Sequence, residues 1–274
     1  MADTADVSVT AFIVNESRAR FEELSGDIYA KLWVTEETKR LWESFATEVY
    51  PYDHINLSLR HRFFLDHLRA FISENNNPLI VNVAAGFTSY PFLLAPNCRC
   101  IETDYAHIIN YKKQNILKWQ QDGVLPVRRT EFYPLDLDSV TERSSFGRSL
   151  DCEDCPAIVI MEGLVYYLSL DTLNSLFELY AATLPKGSLV LFDFWGLDAY
   201  SYPVVRGLRQ YLSKHSGVPP RDFTCLSMEY ISAIRGFTVR EHTDIAALER
   251  QYSDSRALQD RDCRFPGEYC VLEK

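Results

Sequence analysis

The feature that most constrains the fold is a change of rhythm at Pro78, after which short apolar runs alternate with stretches of helical periodicity. Four of these runs are predicted to be buried strands, over residues 79–83, 100–103, 157–161 and 188–194. The predicted helices between and after them span residues 105–121, 170–183 and 199–214. Because strands that alternate with helices form parallel sheets covered by helices on both faces, the sequence predicts an α/β fold.

The two ends of the chain follow different patterns. Residues 17–45 and 56–74 have apolar residues at helical spacing, and Ser58 is a candidate N-cap for the second stretch. Near the other end, residues 237–242 and 268–272 are predicted strands at the sheet edge, with a short helix over 244–251 between them. We therefore expect one domain over residues 1–274, with an N-terminal helical cap (1–77) and an α/β core (78–274).

Charge and cysteine content exclude several classes of protein. The formal net charge is −10, which disfavours nucleic acid and anionic membranes as partners. The apolar runs are too short for a membrane span, and the N-terminus is acidic where a signal peptide is basic. Seven cysteines, an odd number, favour reduced thiols and a cytoplasmic location. Cys152 and Cys155 have metal-site spacing without a second pair, so we expect surface thiols and no metal.

The ends of the first two predicted strands carry candidate binding residues, because open parallel sheets bind ligands at the carboxyl ends of their strands. Small residues and Gly86 follow the first strand, and they match neither the dinucleotide glycine pattern nor a phosphate-binding loop. This disfavours an NAD-dependent oxidoreductase. Asp104 ends the second strand, 18 residues after Gly86. Its carboxylate is placed to accept the hydroxyl protons of a ribose, or to N-cap the next helix.

The next two strand ends carry acidic residues as well. Asp136 and Leu137 suit an adenine ring, and the alternative is an acidic loop with a helix cap at Asp138 or Ser139. Glu162 directly follows the apolar run 157–161, where an unpaired carboxylate is costly to bury. We expect Glu162 to face a cleft or to pair with a cation. That cation is Arg60 or the ammonium of a bound amino acid, and a structural salt bridge is the alternative.

In combination these residues resemble the leucine carboxyl methyltransferase family of class I S-adenosylmethionine-dependent methyltransferases. The resemblance runs from about Ser17 to Trp195, and its matching stretches are residues 59–71, 80–86, 102–104, 136–137 and 156–167. It implies a Rossmann-like sheet that is mostly parallel, with an antiparallel C-terminal strand and an N-terminal helical cap. It also implies S-adenosyl-L-methionine as the cofactor.

The resemblance assigns a role to each candidate residue. Arg60 would hold the cofactor's carboxylate, Asp104 its ribose, and Glu162 its amino-acid end. The residues implied at the methionine turn and at adenine are Ala84 with Gly86 and Asp136 with Leu137. Arg18, in competition with Arg20, corresponds to an N-terminal basic residue of the family. The chain departs from the family pattern where Ala84 replaces a glycine, and where Thr88, Ser89 and Leu93 replace an Asp-Thr pair and an arginine.

The implied reaction is an in-line methyl transfer to a small-molecule carboxylate or hydroxyl. A carboxylate acceptor is already ionised and needs no base, whereas a hydroxyl or thiol needs one. The candidate bases are Tyr166, His61 and His107, and the expected aromatic cover of the acceptor is Tyr166, Tyr167, Phe194 and Trp195. Two alternatives are methylation of a protein or peptide C-terminus and a non-catalytic cofactor-binding partner protein.

Overall fold

The computed structural model of the chain describes residues 9–150, 155–216 and 222–274. Of the predicted cysteine pair, Cys155 lies within these ranges and is a free thiol, whereas Cys152 lies outside the described residues. The described residues form one mixed sheet with helices around it.

Seven strands form the sheet in the order β3-β2-β1-β4-β5-β7-β6. They are β1 (Leu79–Val83), β2 (Arg99–Asp104), β3 (Thr130–Pro134), β4 (Ala157–Met161), β5 (Leu189–Trp195), β6 (Thr238–Asp244) and β7 (Gly267–Glu273). The first five pair in parallel, and β7 is antiparallel to both β5 and β6. The expected fold class is confirmed, and the strand predictions are correct to within one or two residues at each end.

Eleven α-helices lie in the described part of the chain. They are α1 (Val9–Arg20), α2 (Glu22–Ser25), α3 (Glu36–Glu48), α4 (Asp53–Glu74), α5 (Tyr90–Leu93), α6 (Ala106–Gln121), α7 (Val140–Ser149), α8 (Leu170–Thr183), α9 (Pro203–Ser216), α10 (Met228–Ser232) and α11 (Ile245–Tyr252). None of the helices so described is long and apolar enough to cross a membrane.

Two N-terminal helix predictions need correction. The stretch 17–45 is divided, because Gly26 takes a left-handed conformation (φ 71°) that ends α2, and a 3-10 turn follows at Ala30–Trp33. Ser58 is wrong as an N-cap, since α4 already begins at Asp53 and Ser58 lies fully buried inside it. The division into a cap (1–77) and a core (78–274) stays a prediction.

Helix α4 is the main cover of one face of the sheet. Its side chains Leu59, Phe63, Phe64, Leu65 and Leu68 are at most 1% exposed and join the apolar core on that face. A second apolar core on the other face includes Phe177 of α8 and Phe192 of β5. This packing fixes α4 beside the carboxyl ends of the strands, and α1 packs against α4.

Candidate functional site

A cavity of about 380 Å³ lies between α1 and the carboxyl ends of the parallel strands. Its walls come from α1, the turn after β1, the end of β2 and the segments after β3 and β4. Its volume is within the range of cavities that bind drug-sized ligands. The predicted residues that line it are Arg18, Arg60, Ala84, Gly86, Asp104, Leu137, Glu162 and Tyr166.

The turn after β1 is tied directly to the end of β2. The Gly86 N–H donates to Asp104 Oδ2 and the Tyr105 N–H donates to Asp104 Oδ1, both at 2.8 Å. Burial raises the pKa of Asp104, and these two N–H donors act in the opposite direction. The N-cap of α6 is Tyr105, so the alternative that Asp104 N-caps this helix is wrong. Asp104 instead braces the turn and lines the cavity.

The departures from the family pattern also lie around this turn. Ala84, in place of the glycine, has φ +53°, a left-handed conformation that is strained for a residue with a Cβ. Thr88 accepts a hydrogen bond from the Asn82 side chain at 2.8 Å and donates to the Ala85 carbonyl at 2.9 Å. Leu93 packs against the apolar core. The Thr88 hydroxyl therefore stabilises the turn by linking it to Asn82 in β1.

The segment after β3 is shifted relative to the sequence prediction. Leu135, Leu137 and Asp138 line the cavity, whereas Asp136 is not among the lining residues. The Asp136 carboxylate accepts the Asp138 N–H at 2.9 Å and is occupied in a local turn. Of the two predicted caps of α7, Ser139 is the residue used, and it accepts the Glu142 N–H.

Glu162 and Arg60 form a buried ion pair, and Arg60 was one of the two cations expected to pair with Glu162. Arg60 Nε donates to Glu162 Oε1 at 3.1 Å, and the Tyr90 hydroxyl donates to Oε2 at 2.6 Å. Burial acts to raise the pKa of Glu162, but the His61 ring and the positive charge of Arg60 hold this pKa well below its ordinary value. Glu162 is therefore ionised at neutral pH.

Arg60 also contacts two groups beyond Glu162. Its Nη1 donates to the Tyr166 hydroxyl at 3.2 Å and lies 3.6 Å from Asp193 Oδ2. Gly163 makes room for this guanidinium, because a Cβ at Gly163 would lie 3.0 Å from both Nη1 and Nη2. The left-handed backbone of Gly163 (φ +68°) is fixed by its N–H bond of 2.6 Å to Asp193 Oδ1.

The N-terminal basic residue at the cavity is Arg18. It is 1% exposed, and it donates to Asp27 Oδ2 at 3.2 Å and to the Phe87 carbonyl at 2.9 Å. Arg20 lies elsewhere, stacked 3.9 Å from the Trp42 ring centroid and paired with Glu16. The structure thus separates the two competing arginines.

The two candidate histidine bases do not line the cavity. His61 is fully buried, stacked 4.5 Å from the Tyr90 ring, and its ring nitrogens lie 3.7 Å from Asp27 and Glu162 carboxylate oxygens. His107 is exposed on α6 and stacks against Tyr105. Tyr166 does line the cavity, and burial raises the pKa of its hydroxyl well above the ordinary value.

A second cavity of about 70 Å³ adjoins the first and shares Arg60, Tyr166 and Tyr167 with it. Three polar residues in its wall were missed from the sequence: Asp53, Asn56 and Asp193. Asp53 and Asn56 lie on the same face of α4 as Arg60, at i, i+3 and i+7. That spacing of polar residues in an otherwise apolar helix face is the signal from which they were recognisable. Phe194, an expected part of the cover, is not among the lining residues.

Comparison with known proteins identifies the family. A model of the leucine carboxyl methyltransferase family matches residues 7–181, more than half of the chain. A DUF574 family protein from Streptomyces avermitilis has a similar structure (TM-score 0.64, 13% identity, 99% of each chain covered). So does a putative methyltransferase from Thermobifida fusca (TM-score 0.62, 14% identity), with 96% of this chain and 94% of that chain covered. The chain therefore belongs to the leucine carboxyl methyltransferase family and is a methyltransferase that uses S-adenosylmethionine.

Proposed function

We propose that this methyltransferase transfers the methyl group to an oxygen, carboxylate or hydroxyl, of a small-molecule acceptor bound in the second cavity. The observation that carries the proposal is the wall of Arg60 and Tyr166, which belongs to both cavities. A ligand in the larger cavity and a ligand in the smaller one would meet at this wall. Methyl transfer requires such a meeting of donor and acceptor.

The residues around the larger cavity fit S-adenosylmethionine in volume and in chemistry. Asp104, an acceptor at the end of β2, would bind the ribose hydroxyls. Arg18 and Arg60 supply the positive charge that would hold the cofactor's carboxylate, and Glu162 lies beside them for its ammonium. Leu135 and Leu137 would pack on adenine, with Asp138, in place of Asp136, as the nearest acidic side chain of that segment.

The chain's own part in the reaction is binding, orientation and exclusion of water. When bound, S-adenosylmethionine supplies a methyl group that is already activated on a sulfonium. Orientation of the two reactants then provides most of the acceleration. The Arg60 side chain, 6% exposed and bonded to Glu162 and Tyr166, is a rigid element of the wall that sets this orientation.

The size and lining of the second cavity favour a small molecule over a peptide C-terminus. About 70 Å³ is far below the volume that a peptide end with a large side chain requires. Its wall includes buried aromatic side chains, among them Trp195, Phe265 and Tyr269. We also propose a cytoplasmic location, which is supported by free thiols at the six cysteines in the described part of the chain.

The test is calorimetry with S-adenosylmethionine and S-adenosylhomocysteine, followed by transfer of a radiolabelled methyl group into a cell lysate. We expect micromolar binding of both compounds and label in the small-molecule fraction. Label in the protein fraction would favour carboxyl methylation of a C-terminus. Binding without any transfer would favour the non-catalytic alternative, and failure of both compounds to bind would refute the proposal.

A further inference from the structure

The wall of the second cavity contains more acidic than basic side chains. Asp53 and Asp193 line it, and Arg60 is the only cation among its described lining residues. Arg60 already pairs with Glu162 at 3.1 Å and Asp193 at 3.6 Å, and the proposed function assigns its remaining hydrogen-bonding capacity to the cofactor's carboxylate. An acceptor carboxylate would add a negative charge to a buried site without a cation left to pair with it, which is strongly unfavourable.

The same cavity presents acceptor oxygens that await a hydrogen-bond donor. Asn56 is 6% exposed, and its Oδ1 has no hydrogen-bond partner. Trp42 Nε1 donates to Ser17 Oγ at 2.7 Å, and Ser17 Oγ donates to Asp53 Oδ2 at 2.5 Å. Because the indole N–H of Trp42 can only donate, Ser17 Oγ accepts from it, and the single proton of the Ser17 hydroxyl is donated to Asp53. Asp53 Oδ2 is therefore held as an acceptor, and a carboxylate ligand has no proton to offer either Asn56 or an ionised Asp53.

The apolar part of the wall is largely aromatic, which favours an aromatic acceptor over an aliphatic one. Tyr166 stacks on Trp195 at 4.3 Å and 16°, and Trp195 faces Phe265 at 5.9 Å and 15°. The cavity of about 70 Å³ is about half of the ~150 Å³ that encloses a benzene molecule. It therefore admits the reacting edge of a single ring, and the rest of the acceptor extends out of the open side of the cavity.

Resting on the proposed methyl transfer, we propose that the acceptor is an uncharged, single-ring aromatic compound with a hydroxyl group beside a second hydrogen-bond donor. Asp53 receives the proton of the reacting hydroxyl, and Asn56 accepts the neighbouring donor. Asp53 is thus a catalytic residue in this proposal.

The methyl transfer forms one O–C bond and breaks one C–S bond. A lone pair of the hydroxyl oxygen forms the new bond to the methyl carbon, while the C–S bond breaks and its electron pair stays on sulfur as a neutral thioether. The hydroxyl proton moves to the Asp53 carboxylate and is then released to water. A ring hydroxyl with a pKa near that of tyrosine, about 10, is within reach of a carboxylate base, and an aliphatic hydroxyl is not.

The surroundings of Asp53 support a base that works near neutral pH. Burial raises the pKa of Asp53 to about 7, with the Ser17 hydrogen bond and the charge of Arg60 acting against this rise. The other ionisable groups that face it are Tyr50, at the turn before α4, and Asp193 across the cavity. Each of them adds negative charge when ionised.

The first experiment measures binding to the full chain saturated with S-adenosylhomocysteine, by calorimetry with catechol, phenol, benzoate and aniline. We expect catechol to bind three- to tenfold more tightly than phenol, since it gains the hydrogen bond to Asn56. Benzoate is expected to bind at least tenfold more weakly than phenol. In the Asn56→Leu variant, which removes an unsatisfied buried oxygen, the advantage of catechol over phenol is expected to disappear.

The second experiment measures methyl transfer to catechol. Asp53→Asn is expected to lower kcat by 10²- to 10⁴-fold, with the affinity for S-adenosylhomocysteine changed less than twofold. The wild-type kcat should rise with pH up to about 7, and this rise should be lost in Asp53→Asn. Asp66→Asn, which removes a carboxylate on the same helix outside both cavities, is the matched control and should behave as wild type.

Three outcomes overturn the inference. They are tighter binding of benzoate or aniline than of catechol, no catechol binding at millimolar concentration, and an Asp53→Asn variant with wild-type kcat and pH profile. If S-adenosylhomocysteine itself does not bind, the proposed function fails and this inference fails with it. If it binds and benzoate is preferred, only the inference fails. Should Asp53→Asn not fold, the Asn56→Leu comparison decides alone.

Discussion

The two adjoining cavities are built from different parts of the sequence. The larger one is formed mainly by turns that directly follow strands, and much of its geometry is backbone geometry, as at Gly86 and Gly163. The smaller one is formed by side chains from α1, α4, α9, β5 and β7, which are far apart in sequence. The first type of site is recognisable from local motifs, whereas the second depends on how helices pack over the sheet.

The two cavities also differ in the direction in which the pKa values of their carboxylates are shifted. At the larger cavity, cationic and ring partners hold the pKa of Glu162 below its ordinary value against burial. At the smaller one, burial dominates and raises the pKa of Asp193 to about 6 and that of Asp53 to about 7. Charge is therefore fixed where the cofactor's charged end would bind, and it is variable where the acceptor would react.

The largest predicted effect concerns the larger cavity. Asp104→Ala removes the proposed ribose contact and the acceptor of the Gly86 and Tyr105 N–H groups. We expect the affinity for S-adenosylhomocysteine to fall at least about 100-fold, about 2.7 kcal/mol, in calorimetry. Asp122→Ala, an exposed aspartate at the end of α6, is the control and should bind normally. Wild-type affinity in Asp104→Ala would remove the ribose assignment.

The next prediction concerns Gly163, which lacks a Cβ and so makes room for Arg60 in the wall shared by the two cavities. Gly163→Ala forces a left-handed alanine and places a methyl group 3.0 Å from the Arg60 guanidinium. Gly123→Ala is the matched control, because Gly123 has nearly the same φ (+70°) with nothing within 4 Å of an added Cβ. Denaturant unfolding should show a loss larger by roughly 2 kcal/mol in Gly163→Ala than in Gly123→Ala. Equal losses would mean that Arg60 adjusts freely.

The contrast between the cavities explains what the sequence could and could not predict. Strands β1 and β4 were predictable because their residues are buried and, apart from Asn82, apolar, and Asp104 and Gly86 followed from strand ends. Asp136 was predicted at the cavity, where the structure places Asp138, because the local sequence does not determine which residue of a loop turns inward. Asp53 was missed because α4 begins three residues before the first residue predicted to be helical, Asn56. The acceptor wall depends on tertiary packing that no single segment encodes.

The pH dependence of stability should differ between the two cavities. Native Asp53 keeps its proton up to about pH 7, whereas the unfolded chain loses it near pH 4, so unfolding becomes easier as pH rises between these values. Glu162 works in the opposite direction, and its contribution is complete above its unfolded pKa of about 4.5. Between pH 5.5 and 7, Asp53→Asn should therefore gain roughly 1–2 kcal/mol relative to wild type in urea unfolding. A constant difference over this range would show that Asp53 is ionised throughout.

The smallest predicted effect concerns Ala84, the strained alanine in the turn after β1. Ala84→Gly relieves a left-handed backbone that costs about 1–2 kcal/mol for alanine, and it adds about 0.5–1 kcal/mol of chain entropy to the unfolded state. The net result should be a gain of about 0.5 kcal/mol in unfolding free energy. Ala85→Gly, the neighbouring position without a positive φ, should instead lose about 0.5–1 kcal/mol. If both variants lose stability alike, the Ala84 conformation carries no strain, and the family's glycine at this position serves close approach to the cofactor instead.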